Sequence, residues 1–241
     1  MFLTELFEAT DKRHASFCFG RMNPPTIGHG QLINTVANSA AGGDYFIFTS
    51  QSQDPKKNPL DYATKIKFLK ALFPDHASHI VQDPSLKTIM QVAHWLYAKG
   101  YRKVTFVAGS DRLADFKELL KKYNGVETTN GYYQFDSINF ASSGDRDPDA
   151  EGVTGVSASA ARAAASAGNY EAFAQATGAG KLTKQLYDAV RKGMNLTEEA
   201  AGVGVVATNK KMARDPRYST SMTVDVKPST PQKNLKAFKL A

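Results

Sequence analysis

Gly20-Arg21-Met22-Asn23-Pro24-Pro25-Thr26-Ile27-Gly28-His29 closes a short apolar run, residues 15–19, and opens a segment, residues 31–41, in which Leu32, Ile33, Val36 and Ala37 recur at helical spacing. The stretch predicts a buried strand passing directly into a helix. Pro24 and Pro25 fix φ and stop the strand, while Gly28, without a Cβ, lets a ligand come close to the backbone. His29 falls in the first turn of that helix, where unsatisfied N–H groups and the helix dipole attract an anion. Such a turn is suited to holding phosphate, since capping a helix would not call for Pro-Pro, Gly and His in one run.

Outward from this junction the chain alternates. Strands are expected near residues 15–20, 44–49, 78–82, 103–108 and 132–140, and helices near 29–41, 61–73, 86–99, 111–123 and 158–167. That alternation predicts an α/β fold, a doubly wound, parallel, five-stranded sheet of Rossmann-like type with helices on both faces. Ligands of such sheets bind beyond the carboxyl ends of the strands, where the Gly20–His29 turn begins. Further helices near 169–177 and 182–193 form a helical C-terminal part, so that residues 1–195 make one domain and residues 196–241 a tail.

Three more segments carry candidate chemistry. In Val156-Ser157-Ala158-Ser159-Ala160-Ala161-Arg162, either Ser157 or Ser159 can cap the alanine-rich helix that follows. Arg162 lies about one turn in, and its planar guanidinium suits a phosphate chain better than a lysine would. In the polar loop Gln53-Asp54-Pro55-Lys56-Lys57-Asn58-Pro59-Leu60, Lys56 or Lys57 supplies mobile positive charge, or both are simply solvated. Gly109-Ser110-Asp111-Arg112 ends a strand and opens a helix, with Asp111 placed as its N-cap.

Thr26-Ile27-Gly28-His29 resembles the (His/Thr)-x-Gly-His signature of the nucleotidylyltransferase superfamily, which includes adenylyltransferases for nicotinamide mononucleotide and phosphopantetheine as well as cytidylyltransferases. The preceding Gly-Arg-x-Asn-Pro adds to the likeness, and residues 156–162 are similar to the superfamily's Ile-Ser-Ser-Thr-x-x-Arg motif, with Ala158 in place of a serine. The resemblance implies an enzyme, a nucleotidyltransferase in which an acceptor phosphate attacks the α-phosphorus of a nucleoside triphosphate and pyrophosphate leaves. By the same resemblance His29 binds the phosphates and Thr26 does the work of the first histidine elsewhere. Gly20, Arg21, Met22, Asn23, Gly28, Ser157 and Ser159 line the nucleotide site, Lys56 or Lys57 and Arg162 steady the β- and γ-phosphates, and Gly109, Ser110 and Asp111 face the acceptor. Mg²⁺ rides mainly on the triphosphate. ATP with nicotinamide mononucleotide is the favoured pair, with phosphopantetheine adenylylation or cytidylyl transfer as alternatives. Asn23-Pro24-Pro25-Thr26-Ile27-Gly28-His29, Gly144-Asp145-Arg146-Asp147-Pro148-Asp149 and the Asp215-Pro216-Arg217-Tyr218 tail resemble nucleotidylyltransferase-like proteins of large tailed bacteriophages. A nucleotide-binding scaffold or virion component is the non-enzyme alternative.

Composition sets the remaining bounds. The single cysteine, Cys18, has no partner within the chain for a disulfide, the five histidines lack metal-ligand spacing, and no apolar stretch is long enough to span a bilayer. These features point to a cytoplasmic protein without a metal site of its own. Residues 205–241 carry eight Lys or Arg against Asp215 and Asp225, a net of +6 out of +7 for the whole chain. The basic balance therefore belongs to the tail. With its prolines, serines and threonines the tail reads as a flexible extension, or as a docking peptide for a protein partner through Leu235, Phe238 and Leu240; nucleic acid is the least favoured reading, because few aromatics interleave the charges. The acidic, glycine-containing residues 142–152 read as a lid over the acceptor or as an ordinary surface loop.

Overall fold

The structure is a computed structural model and describes residues 13–144 and 156–196. The expectations for most of the 142–152 loop and for the basic tail, with the docking reading and two of the three segments that carry the phage resemblance, lie largely outside those residues. The elements follow in the order β1 (Arg13–Gly20), α1 (Gly28–Ser39), β2 (Asp44–Thr49), α2 (Tyr62–Leu72), a 3-10 turn (Pro74–His79), α3 (Ile89–Ala98), β3 (Tyr101–Ala108), α4 (Ser110–Lys122), β4 (Ser137–Ser142), α5 (Ala158–Ser166), α6 (Tyr170–Thr177) and α7 (Thr183–Gly193).

The strands are short apolar runs, and all pair in parallel in the order β2-β1-β3-β4. Being buried on both faces, β1 and β3 read as continuous hydrophobic runs with little alternation. On one face Ala15, Phe17, Phe48, Val104 and Phe106 pack against α3 through Val92, Ala93 and Leu96 and against α4 through Leu120. On the other, Cys18, Ile47 and Val107 meet Ile33 and Val36 of α1 and Ile66 and Leu69 of α2. Each fully buried Phe, Val, Ile or Leu side chain among them contributes about 1.5–3 kcal/mol, which explains why the faces are so consistently apolar. Helices on both faces make the sheet doubly wound. A third cluster joins Leu60 and Phe68 to Ala161, Ala165, Phe173, Leu186 and Val190, so the C-terminal helices pack onto α2. Among the described residues no helix is long and apolar enough to cross a membrane.

Two strand expectations are corrected. The sheet has four strands among the described residues, because residues 78–82 reach its edge at one point only: Ile80 bridges Ile47, and the Val81 N–H donates to the Ile47 carbonyl at 3.0 Å. Before that point the chain is a 3-10 turn whose His79 ring stacks on Tyr45 at 3.7 Å. After it, Asp83 accepts from Ser85 N–H in a tight turn, and Pro84 has no N–H to extend a ladder. The last strand begins at Ser137, five residues later than expected, because Tyr133 and Phe135 alternate inward without a strand partner. Tyr133 donates its hydroxyl to the Leu120 carbonyl, and Phe135 donates its N–H to Asn124. Helix α3 starts at Ile89 instead of residue 86, set by a capping box between Thr88 and Gln91.

Candidate functional site

A cavity of about 350 Å³ opens at the carboxyl ends of β1 and β3. There the chain leaves β1 toward β2 on one side and later returns past β1 to β3 on the other, the switch point where doubly wound sheets bind ligands. Its walls come from four places: Phe19 to Asn23 with His29 and Leu32; Ser50 and Lys57 after β2; Val107 to Gly109 with Asp111, Arg112 and Phe116; and Ala158, Ser159 and Arg162 of α5. The two segments singled out in the sequence therefore converge. Arg162 Nη1 donates to the Asn23 carbonyl at 2.6 Å, across 139 residues of chain.

The turn after β1 is held from below. The Asn23 amide grips the Leu60 backbone twice, Nδ2 donating to its carbonyl at 2.9 Å and Oδ1 accepting from its N–H at 3.0 Å. Met22 adopts φ 44°, in the left-handed region, while its side chain stays 2% exposed in the core. Thr26 is buried, and its N–H donates to His29 Nδ1 at 3.0 Å, with its hydroxyl 2.9 Å from the same nitrogen. Since Nδ1 accepts, the imidazole proton belongs on Nε2, and Thr26 orients the ring of a histidine that lines the cavity. The Ile27 N–H donates to the Thr177 carbonyl at 2.8 Å. Gly178, at φ 60°, lies against the Ile27 side chain, where a Cβ would come within 2.5 Å. Gly193 presses on the chain just before Leu60, since a Cβ there would lie 2.0 Å from the Pro59 carbonyl oxygen. The C-terminal helices thus brace both loops that Asn23 joins.

Ser157 is the cap of α5, accepting from the Ala160 N–H at 3.0 Å, and Ser159 accepts from Arg162 Nη2 at 3.2 Å. Of the two serines, Ser159 reaches the cavity. Burial lowers the Arg162 guanidinium from its ordinary value, the neighbouring Arg21 charge lowers it further, and Asp54 opposes both. Cations that destabilise one another across a cleft are relieved by an anion placed between them.

In the loop after β2, Asp54 Oδ1 accepts the N–H groups of Lys56 at 3.0 Å and Lys57 at 2.6 Å, so the turn is fixed while both side chains are exposed. Lys57 lines the cavity; Lys56 is not among its lining residues. Gly28 is the first residue of α1 and Ser110 the first of α4, Ser110 exposed and neither among the lining residues. Gly109 and Asp111 do line it. The N-cap of α4 is Gly109, not Asp111: Asp111 stands one residue inside the helix, and no side chain caps it. Among the described residues no group of three or more His, Cys, Asp or Glu side chains could hold a metal ion.

Sequence reading gave no role to Arg112, Phe116 or Ser50, all on the cavity wall, or to Lys65 behind it. Lys65 is 0% exposed, and its ammonium donates to the Ser50 carbonyl. Burial brings it down to about 8, with Asp61 opposing.

The cytidylyltransferase-like family model matches residues 17–224. No curated protein matches the chain. The chain belongs to the cytidylyltransferase-like family, within the nucleotidylyltransferase superfamily, and the family suggests a nucleotidyltransferase with a nucleotide substrate.

Proposed function

We propose that this cytidylyltransferase-like chain transfers a nucleotidyl group, adenylyl in the favoured case, from a nucleoside triphosphate to a phosphate-bearing acceptor such as nicotinamide mononucleotide. The observation that supports this reading best is the sharing of one cavity by His29, Arg21, Lys57 and Arg162, with Asp111 as the carboxylate on its wall. With Arg112 these make five positively charged or hydrogen-donating side chains around so small a space, which matches a triphosphate better than a neutral ligand.

An acceptor phosphate oxygen forms a bond to the α-phosphorus as the bond to the bridging oxygen of the β-phosphate breaks, and pyrophosphate leaves with that oxygen. No covalent enzyme intermediate is needed, so catalysis rests on alignment and charge stabilisation. His29, protonated on Nε2, donates to an α- or β-phosphate oxygen, and Thr26 keeps it in that tautomer. Arg162 and Lys57 take the β- and γ-phosphates, with Arg21 beside them. Ser159 positions Arg162, and Ser157 holds the start of its helix. Gly109 and Asp111 border the acceptor. Mg²⁺ enters as part of the substrate, carried on the triphosphate oxygens.

A panel of ATP, CTP, GTP and UTP against nicotinamide mononucleotide, phosphopantetheine and phosphorylated alcohols or sugars, read by pyrophosphate release, tests the reading. One pair should release pyrophosphate well above a control without enzyme, with CTP the principal rival to ATP given the family's description. Nucleotide binding without release from any pair would favour the scaffold alternative.

A further inference from the structure

Lys65 occupies a core position, where a charged side chain is costly to bury. It lies in the first turn of α2 beside the core residues Ile66, Phe68 and Leu69, and none of its surface reaches solvent. An ammonium carries three donors, and among the described residues its hydrogen-bond acceptor is the Ser50 carbonyl. The charge facing it is Asp61, the exposed N-cap of the same helix, whose carboxylate already accepts from the Thr64 N–H and hydroxyl. That is poor compensation for a desolvated cation.

What lies on the other side of Ser50 is the cavity. Ser50 lines it, and its N–H donates to the carbonyl of Gly20, which lines it too, at 2.8 Å. Beyond that wall the charged groups are Arg21, Lys57, Arg112 and Arg162 with Asp111, and the Asp54 charge acts on Arg162 from outside the wall. A cation in this low-dielectric position acts on the cavity more strongly than an exposed lysine at the same distance.

We infer that Lys65 is an electrostatic partner of the bound triphosphate that never touches it: the nucleotide supplies the counter-charge that the fold withholds, and its binding draws a proton onto Lys65. This rests on the triphosphate reading above. Burial holds the free ammonium at about 8, so at pH 8.5 a sizeable part is neutral until nucleotide arrives.

Calorimetric titration with the magnesium complexes of α,β-methylene nucleoside triphosphates, which bind without turning over, tests both claims separately. At pH 8.5, in two buffers of different ionisation enthalpy, the wild-type protein should take up a substantial fraction of a proton on binding, and its affinity should fall between pH 7.5 and 9.5. Lys65→Met should bind roughly tenfold more weakly at pH 7.5, the scale of one partly screened unit charge, and lose the uptake. Lys65→Arg should keep the affinity while losing the uptake, since arginine stays charged throughout. Wild-type binding without proton uptake, or Lys65→Met binding as tightly as wild type with the same uptake, overturns the inference and leaves the triphosphate reading standing. Failure of the wild type to bind any of the analogues overturns both.

Discussion

Two loops reach the same cavity by opposite means. Residues 22–26 are buried without exception and pinned by Asn23 to Leu60 and by Thr26 to His29. In the loop after β2, by contrast, Ser52, Gln53, Pro55, Lys56 and Lys57 are all exposed, and one carboxylate, Asp54, shapes the turn. The first loop stores geometry and the second offers charge. A reaction that depends on alignment should therefore be far more sensitive to the first, and a binding step that depends on charge should register the second.

The largest effect is expected at His29. His29→Ala should lower kcat by about 10²-fold or more, the range for losing one preorganised donor, with a smaller change in KM. Near wild-type turnover would break the assignment of alignment to this loop. Next comes Asn23→Ala, which strips both the N–H and the carbonyl of Leu60 of their partners. Urea unfolding should show a loss of about 2–4 kcal/mol, as expected for two buried backbone groups left unsatisfied, and turnover should fall with it; an unchanged midpoint would mean that the loop is not held by this clamp. The smallest effect belongs to the exposed loop. Lys57→Ala should raise the KM for nucleotide by about 3–10-fold with melting temperature unchanged, and Lys56→Ala should stay within about twofold, the worth of an exposed charge. A larger effect at Lys56 would reverse the two lysines' roles.

Much of this organisation was legible in the residues. The apolar runs of β1, β2 and β3 need burial on both faces, and a strand with that pattern has few other places to go. The motif at residues 20–29 announced its own turn, because Pro24, Pro25 and Gly28 restrict the backbone locally. Residues 78–82 misled because a short apolar run scores as a strand whether or not its flanks allow a ladder, and here Pro84 ends the pairing after a single bridge. Tyr133 and Phe135 misled in a related way, since inward alternation is also satisfied by packing on the end of α4. Arg112 stood in plain view one residue after Asp111, but nothing local distinguishes a cavity arginine from a solvated one. Lys65 had a signal that went unused: three residues before Phe68 and four before Leu69, it falls on the apolar stripe of α2, where a lysine is out of keeping. Its partner, Ser50, lies 15 residues away in sequence, and only folding brings them together.

Cys18, the chain's one thiol, lies wholly buried in β1, and burial pushes it up to about 12, with the Phe48 backbone pulling weakly the other way. A thiolate is the form that reacts, so the native fold presents maleimides and disulfide reagents with nothing to attack. A cysteine introduced on the exposed loop at position 56 would then be the sole handle for a fluorophore or spin label, and distances from it could be followed without first removing a native residue.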